Sequence, residues 1–118
     1  MSSLDRMPRT ARRKSPTLSI LGRPYRLTRK AGGDALGVTD YTRGIINVSP
    51  DQDEYSTRDT LLHEVMHAVL FQAGRSTGDP AEYPVEESYV RPLATGLIAF
   101  FRANPEVAAW LIANPEAV

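Results

Sequence analysis

Leu61-Leu62-His63-Glu64-Val65-Met66-His67-Ala68-Val69-Leu70-Phe71 is the stretch that decides how this chain reads. Apolar residues recur through it at helical spacing, with polar side chains set into the run. Upstream, Ser56 or Thr57 offers an N-cap, and Ser56 with Asp59 makes a capping-box-like pair. Downstream, Gly74 stands where a left-handed residue would end a helix. The expectation is a helix from Thr57 to Ala73. On it, His63 and His67 lie four residues apart, so their imidazoles leave the same face roughly 6 Å apart along the axis. Two rings so placed can converge on one ion, at about 2.0–2.1 Å each for zinc. Glu64 projects about 100° round from His63. It can reach a water beside that ion without being a ligand.

His63 and His67 are the only histidines in the chain, and there is no cysteine. A pattern of three fixed letters also arises by accident, on a surface helix or around a core histidine satisfied by a neighbour. Against that, Leu61, Leu62, Val65, Met66, Val69, Leu70 and Phe71 draw the imidazoles and Glu64 toward a buried stripe, where polar groups need partners. A zinc ion that performs chemistry usually keeps three protein ligands and one open position. With no further imidazole and no thiol, the third ligand must be a carboxylate. The downstream acids are Asp79, Glu82, Glu86, Glu87, Glu106 and Glu116. Glu106 and Glu116 lie far along the chain, and Asp79 and Glu82 sit in the turn-rich stretch that begins at Gly74. Glu86 and Glu87 open the next helix behind Pro84, read as its first residue. One of the two is expected to serve the helix dipole while the other turns inward, and these residues alone do not choose between them.

The block, followed by glutamate on the next helix, resembles the gluzincin plan of zinc-dependent peptidases. It is most similar to the small ImmA/IrrE-type metallopeptidase domains of phages and mobile elements. Those carry His-Glu-x-x-His and then a helix with Glu-x-x-Ala-x-x-Phe-Ala; this chain reads Glu87-Ser88-Tyr89-Val90-Arg91-Pro92-Leu93-Ala94. The resemblance runs from Ile45 to about Phe101. It implies that His63, His67 and Glu87 bind Zn2+, that Glu86 is a solvent-side neighbour, and that Glu64 is the general base of peptide hydrolysis. It also implies that the strand Gly44 to Val48 forms the rim of the cleft, its edge pairing with an extended peptide or protein substrate. Pro92 departs from the pattern and should kink the helix one turn after Glu87. Tyr55, Tyr83 and Tyr89 are the phenols available to an oxyanion. Asp59 could orient His63, but its capping position already occupies it.

At 118 residues the chain reads as one domain behind a basic leader, 1–16 and 17–118. The fold class is α+β: a short N-terminal antiparallel β-sheet of three to four strands, the active-site helix, the glutamate helix and a short C-terminal helix. Thr17 to Leu21 and Tyr25 to Thr28 read as strands around a Gly22-Arg23-Pro24 turn, Gly32-Gly33-Asp34 breaks the chain, and Leu36 to Thr39 with Gly44 to Val48 form a hairpin around Asp40 to Arg43. Leu93, Leu97, Ile98 and Phe101 make a core stripe. Asn104-Pro105-Glu106 caps a last helix bearing Val107, Trp110 and Leu111, which Asn114-Pro115 ends.

Net charge is zero but uneven: residues 1–30 hold nine Arg and Lys against Asp5, and the remainder holds five against thirteen acids. The leader lacks apolar periodicity and is expected to be a disordered, solvated tail rather than a nucleic-acid arm. No run is long and apolar enough to cross a membrane, no signal sequence is visible, and no disulfide is possible. A cytoplasmic protein is expected, in the host cytoplasm if phage-encoded. Two rivals to the peptidase remain: a zincin-fold phage module, structural or regulatory, without turnover, and a nucleic-acid-binding protein using the basic leader.

Overall fold

The computed structural model describes residues 16–31, 34–76 and 78–115. The leader up to Ser15, Gly32-Gly33 of the expected chain break, and Glu116 lie outside them. Four strands come first: β1 (Thr17–Ile20), β2 (Arg23–Thr28), β3 (Gly37–Asp40) and β4 (Ile45–Val48). Three helices follow: α1 (Glu54–Gln72), α2 (Tyr83–Ala103) and α3 (Pro105–Ile112), with a short 3-10 turn at Pro80–Glu82 leading into α2. This is the expected α+β layout of a small sheet and three helices.

The sheet order is β1-β2-β4-β3. β1 with β2 and β3 with β4 are antiparallel, whereas β2 and β4 pair in parallel, Leu27 opposite Ile46. That parallel pairing joins the two hairpins and makes the sheet mixed. It also corrects the rim: β4 lies between two neighbours, and β3 is the edge strand. Leu21 and Gly22 (φ 48° and 85°) turn β1 into β2, one residue earlier than the Gly-Arg-Pro reading. The Asp40 to Arg43 loop closes on Gly44 at φ 65°, a left-handed position that suits glycine.

Ile20, Tyr25, Leu27, Ile46 and Val48 bury one sheet face against Ala68 of α1, with Leu18, Leu61 and Val65 packed round them. α2 packs on α1, so α1 lies between the sheet and α2. This explains its composition. Two of its faces are covered, and its buried residues are Thr57, Glu64, His67 and Ala68, mostly polar. The helix starts earlier than expected, because Asp53 is the N-cap and its carboxylate accepts from the Ser56 N–H at 2.7 Å. Its end is as read: Gly74 adopts φ 79°, and the N–H of Arg75 reaches the Leu70 carbonyl at 2.9 Å.

α2 begins at Tyr83, placing Pro84 at its second position, and continues through Pro92 to Ala103. Pro92 offers the Ser88 carbonyl no N–H. The turns on either side keep the helix intact. Its buried residues are Glu86, Val90 and Ala94, so the inward stripe is set back from the expected one, and Leu93 is 50% exposed. α3 has no buried residue.

Candidate metal centre

His63 and His67 rise from the middle of α1, and Glu86 and Glu87 come from the first turns of α2. The packing of α2 on α1 brings all four together. Glu87 Oε1 lies 2.6 Å from His63 Nε2 and 3.0 Å from His67 Nε2, and the two Nε2 atoms are 3.2 Å apart. His63, His67 and Glu87 thus form a group that can hold a metal ion. Two ligands at about 2.0–2.1 Å in a tetrahedral shell stand roughly 3.3 Å from each other. The observed triangle is slightly tighter than that, within the reach of small side-chain rotations.

Glu86 was expected to face solvent beside Glu87. Instead it is 6% exposed, and its carboxylate meets the Nδ1 of His67, itself 1% exposed. A carboxylate only accepts, so the ring donates its Nδ1–H to Glu86. In the neutral ring the Nε2 lone pair then faces Glu87 Oε1 and His63 Nε2. Acceptor atoms converging at these distances are satisfied only by a cation between them, a proton or a metal ion. Holding the far nitrogen of a metal-facing histidine with a carboxylate fixes both tautomer and ring orientation. Both glutamates therefore turn inward, and the expectation that one would serve only the helix dipole is corrected.

Glu64 is buried on the other side of His63, under β3. The Thr39 hydroxyl donates to its Oε1 at 2.7 Å. Gly37 lies so close that a Cβ there would stand 2.6 Å from Thr60 Cγ2 and 2.9 Å from Glu64 Cγ. Burial pushes the Glu64 carboxyl above its ordinary value, against the opposing pull of Thr39 and the two histidines. Burial also acts upward on Glu87, but the Tyr83 hydroxyl and the imidazoles outweigh it and hold that carboxyl below the usual range. The two carboxyls are thereby pushed apart, one toward accepting a proton and the other toward staying ionised.

Of the three candidate phenols, Tyr83 alone is at the centre. Its ring stacks on His67 with centroids 5.4 Å apart, and its hydroxyl donates to Glu87 Oε2 at 2.9 Å. Burial and then that carboxylate push its pKa up to about 12. Tyr55 lies under the Arg102 guanidinium and is 68% exposed, while Tyr89 is 40% exposed on the outside of α2. Asp59 accepts from Thr95 at 3.0 Å, tying α1 to α2. An open cleft of about 370 Å³ runs past His63, Glu64 and Glu87 between Gly37 and Arg91. Tyr83 also borders a second hollow of about 310 Å³, lined by Tyr41, Ser76 and Glu86.

Thr39, Gly37 and Arg91, which reaches Glu87 Oε2 at 3.3 Å, were not singled out from sequence. Only the spacing of β3 before α1 could have pointed to the first two. Compared with known proteins, the sequence matches no family model, no curated protein and no solved structure. Among the described residues, no helix is long and apolar enough to cross a membrane.

Proposed function

We propose that this chain is a small zinc metallopeptidase of the gluzincin plan, with His63, His67 and Glu87 as ligands and Glu64 as general base. The observation that carries this reading is the convergence of three acceptor atoms from two helices, with Glu86 locking the His67 tautomer. Two imidazoles and one carboxylate are the donor set of a catalytic zinc with an open position. Bound zinc would supply Lewis acidity, acidifying a water and polarising the scissile carbonyl. Glu64, held by Thr39 and raised in proton affinity by burial, takes the proton of the attacking water and returns it to the leaving amine. Tyr83 keeps its proton at neutral pH and can donate to the oxygen on which charge develops. An extended peptide would add to β3, the edge strand that borders the cleft, rather than to β4.

Metal analysis of the purified protein together with Glu64→Gln tests this reading. The parent should carry one zinc and cleave peptides. Glu64→Gln should keep the zinc and lose roughly 10²–10⁴-fold in turnover, the usual size of a general-base contribution. Unchanged cleavage by Glu64→Gln removes Glu64 from the mechanism. A zinc-free parent that takes up no zinc on addition removes the metal centre itself.

A further inference from the structure

We infer that the outer face of α2, continued by α3, is the interface through which two copies of this chain associate. From Pro92 to Phe101 the chain carries no charge, and between there and Ala113 it adds only Arg102 and Glu106. A helix apolar on every side is normally buried on every side. Here one stripe packs inward at Glu86, Val90 and Ala94. A second stripe, at Val85, Tyr89, Leu93 and Phe100, faces solvent, and α3 extends it with Trp110 and Ile112 at 74% and 85% exposure. Arg102, the one cation nearby, is folded over the Tyr55 ring, with its guanidinium carbon 4.7 Å from the centroid.

Gly96 is the independent observation. It sits inside α2, where glycine is a poor helix residue, and a Cβ built on it would meet nothing within 4 Å. Nothing within the described chain requires that glycine. It lies on the solvent-facing stripe with Leu93 three residues before it and Phe100 four after. An antiparallel crossing of two α2 helices about Gly96 brings Leu93 of each copy against Phe100 of the other. This is the self-complementary pattern that a two-fold interface needs, and the missing side chain lets the helices approach at the crossing.

Charge and area favour a second copy as the occupant. The chain is neutral overall, so like copies do not repel, and the face carries no charge pattern to select a different partner. Taking a large aromatic at roughly 150–250 Å² and scaling by the exposures, the face offers on the order of 700–800 Å². A standard stable interface takes about 800 Å² from each partner.

Trp110 is the only tryptophan, so its emission reports this face directly. The test is analytical ultracentrifugation of the full chain over a dilution series, with Trp110 fluorescence read on the same samples. The expected result is a species of twice the 13.0 kDa chain mass that dissociates on dilution as the emission shifts to the red. Gly96→Leu and, separately, Leu93→Asp should weaken association at least about tenfold while far-UV circular dichroism is unchanged, as expected for interface hot spots. A 13.0 kDa species at every concentration overturns the inference. So does a dimer that neither substitution moves, and so does a monomer with blue-shifted emission, which would mean that the chain's own termini cover the face. Zinc content and peptidase activity do not enter these outcomes.

Discussion

At the start of α2, Glu86 is 6% exposed and meets a buried histidine; further along the same helix, Leu93 and Phe100 are 50% and 44% exposed. The usual distribution is inverted at both places, polar side chains inside and large apolar ones outside. Around His67 the inversion is compensated, because each polar atom finds a partner and the set converges on one point. Along the outer stripe nothing within the described residues compensates it. The first inversion calls for a cation and the second for another surface. One helix thus serves two purposes, and substitutions can separate them.

The largest separation should come from the paired glutamates. Glu87→Ala removes a ligand and should reduce zinc in the purified protein to background. Glu86→Gln keeps a group that can accept the His67 Nδ1–H, so zinc should still bind, more weakly by roughly 10–100-fold, as for other groups that orient a metal ligand. Competition with a chelator of known affinity measures both. Equal zinc affinity in Glu87→Ala and the parent would remove Glu87 from the centre. Neither change should alter the association state, since both side chains point away from the outer stripe.

Two glycines extend the contrast to stability. Gly37 has no room for a Cβ, so Gly37→Ala must push Thr60 and Glu64 aside and should cost about 1–3 kcal/mol, the range for overpacking, with a loss of turnover because Glu64 shifts. Gly96 has open space, so Gly96→Ala, measured in dilute solution where the chain is monomeric, should gain up to about 1 kcal/mol from helix propensity alone. Urea unfolding of both variants reads the two signs. A stabilising Gly37→Ala would mean that β3 does not sit tightly on α1.

These contrasts mark what could be read from sequence and what could not. The helix α1, its stop at Gly74 and the shared face of His63 and His67 follow from local periodicity and spacing, so they were legible. The hairpins were legible too, but not their order: that β3 rather than β4 is the edge depends on β2 pairing in parallel with β4, a contact that no local pattern specifies. Glu87 was reached through resemblance. The position of Glu86 was missed because a glutamate in a first helical turn already has a sufficient explanation in the helix dipole. Gly37 and Thr39 were missed for a different reason, since their part appears only when a strand is laid across a helix. The apolar residues of α3 were visible in the sequence, and the assumption that apolar means core is what failed for Trp110.

The smallest expected effect lies at the N-terminus of α1, about ten residues before the metal-facing side chains. Asp53 was overlooked because Ser56 and Thr57 are equally good caps by residue type. Its carboxylate accepts the Ser56 N–H, which holds its pKa below the usual aspartate value. A folded-state pKa below the unfolded one means that this stabilisation is complete above the ordinary aspartate range and fades as pH falls through the folded value. Asp53→Ala should therefore lower Tm by a few degrees at neutral pH. In acid, below that range, parent and variant should converge. Asp53→Asn, which keeps an accepting oxygen, should retain most of the stability at neutral pH and lose the acid dependence. Zinc affinity should be unchanged in both, because α2 and β3, not the first turn of α1, hold the centre in place. A fall in zinc affinity with Asp53→Ala would show that the cap and the metal-facing turn form one cooperative unit, and the boundary drawn here between site and scaffold would then have to move back to Asp53.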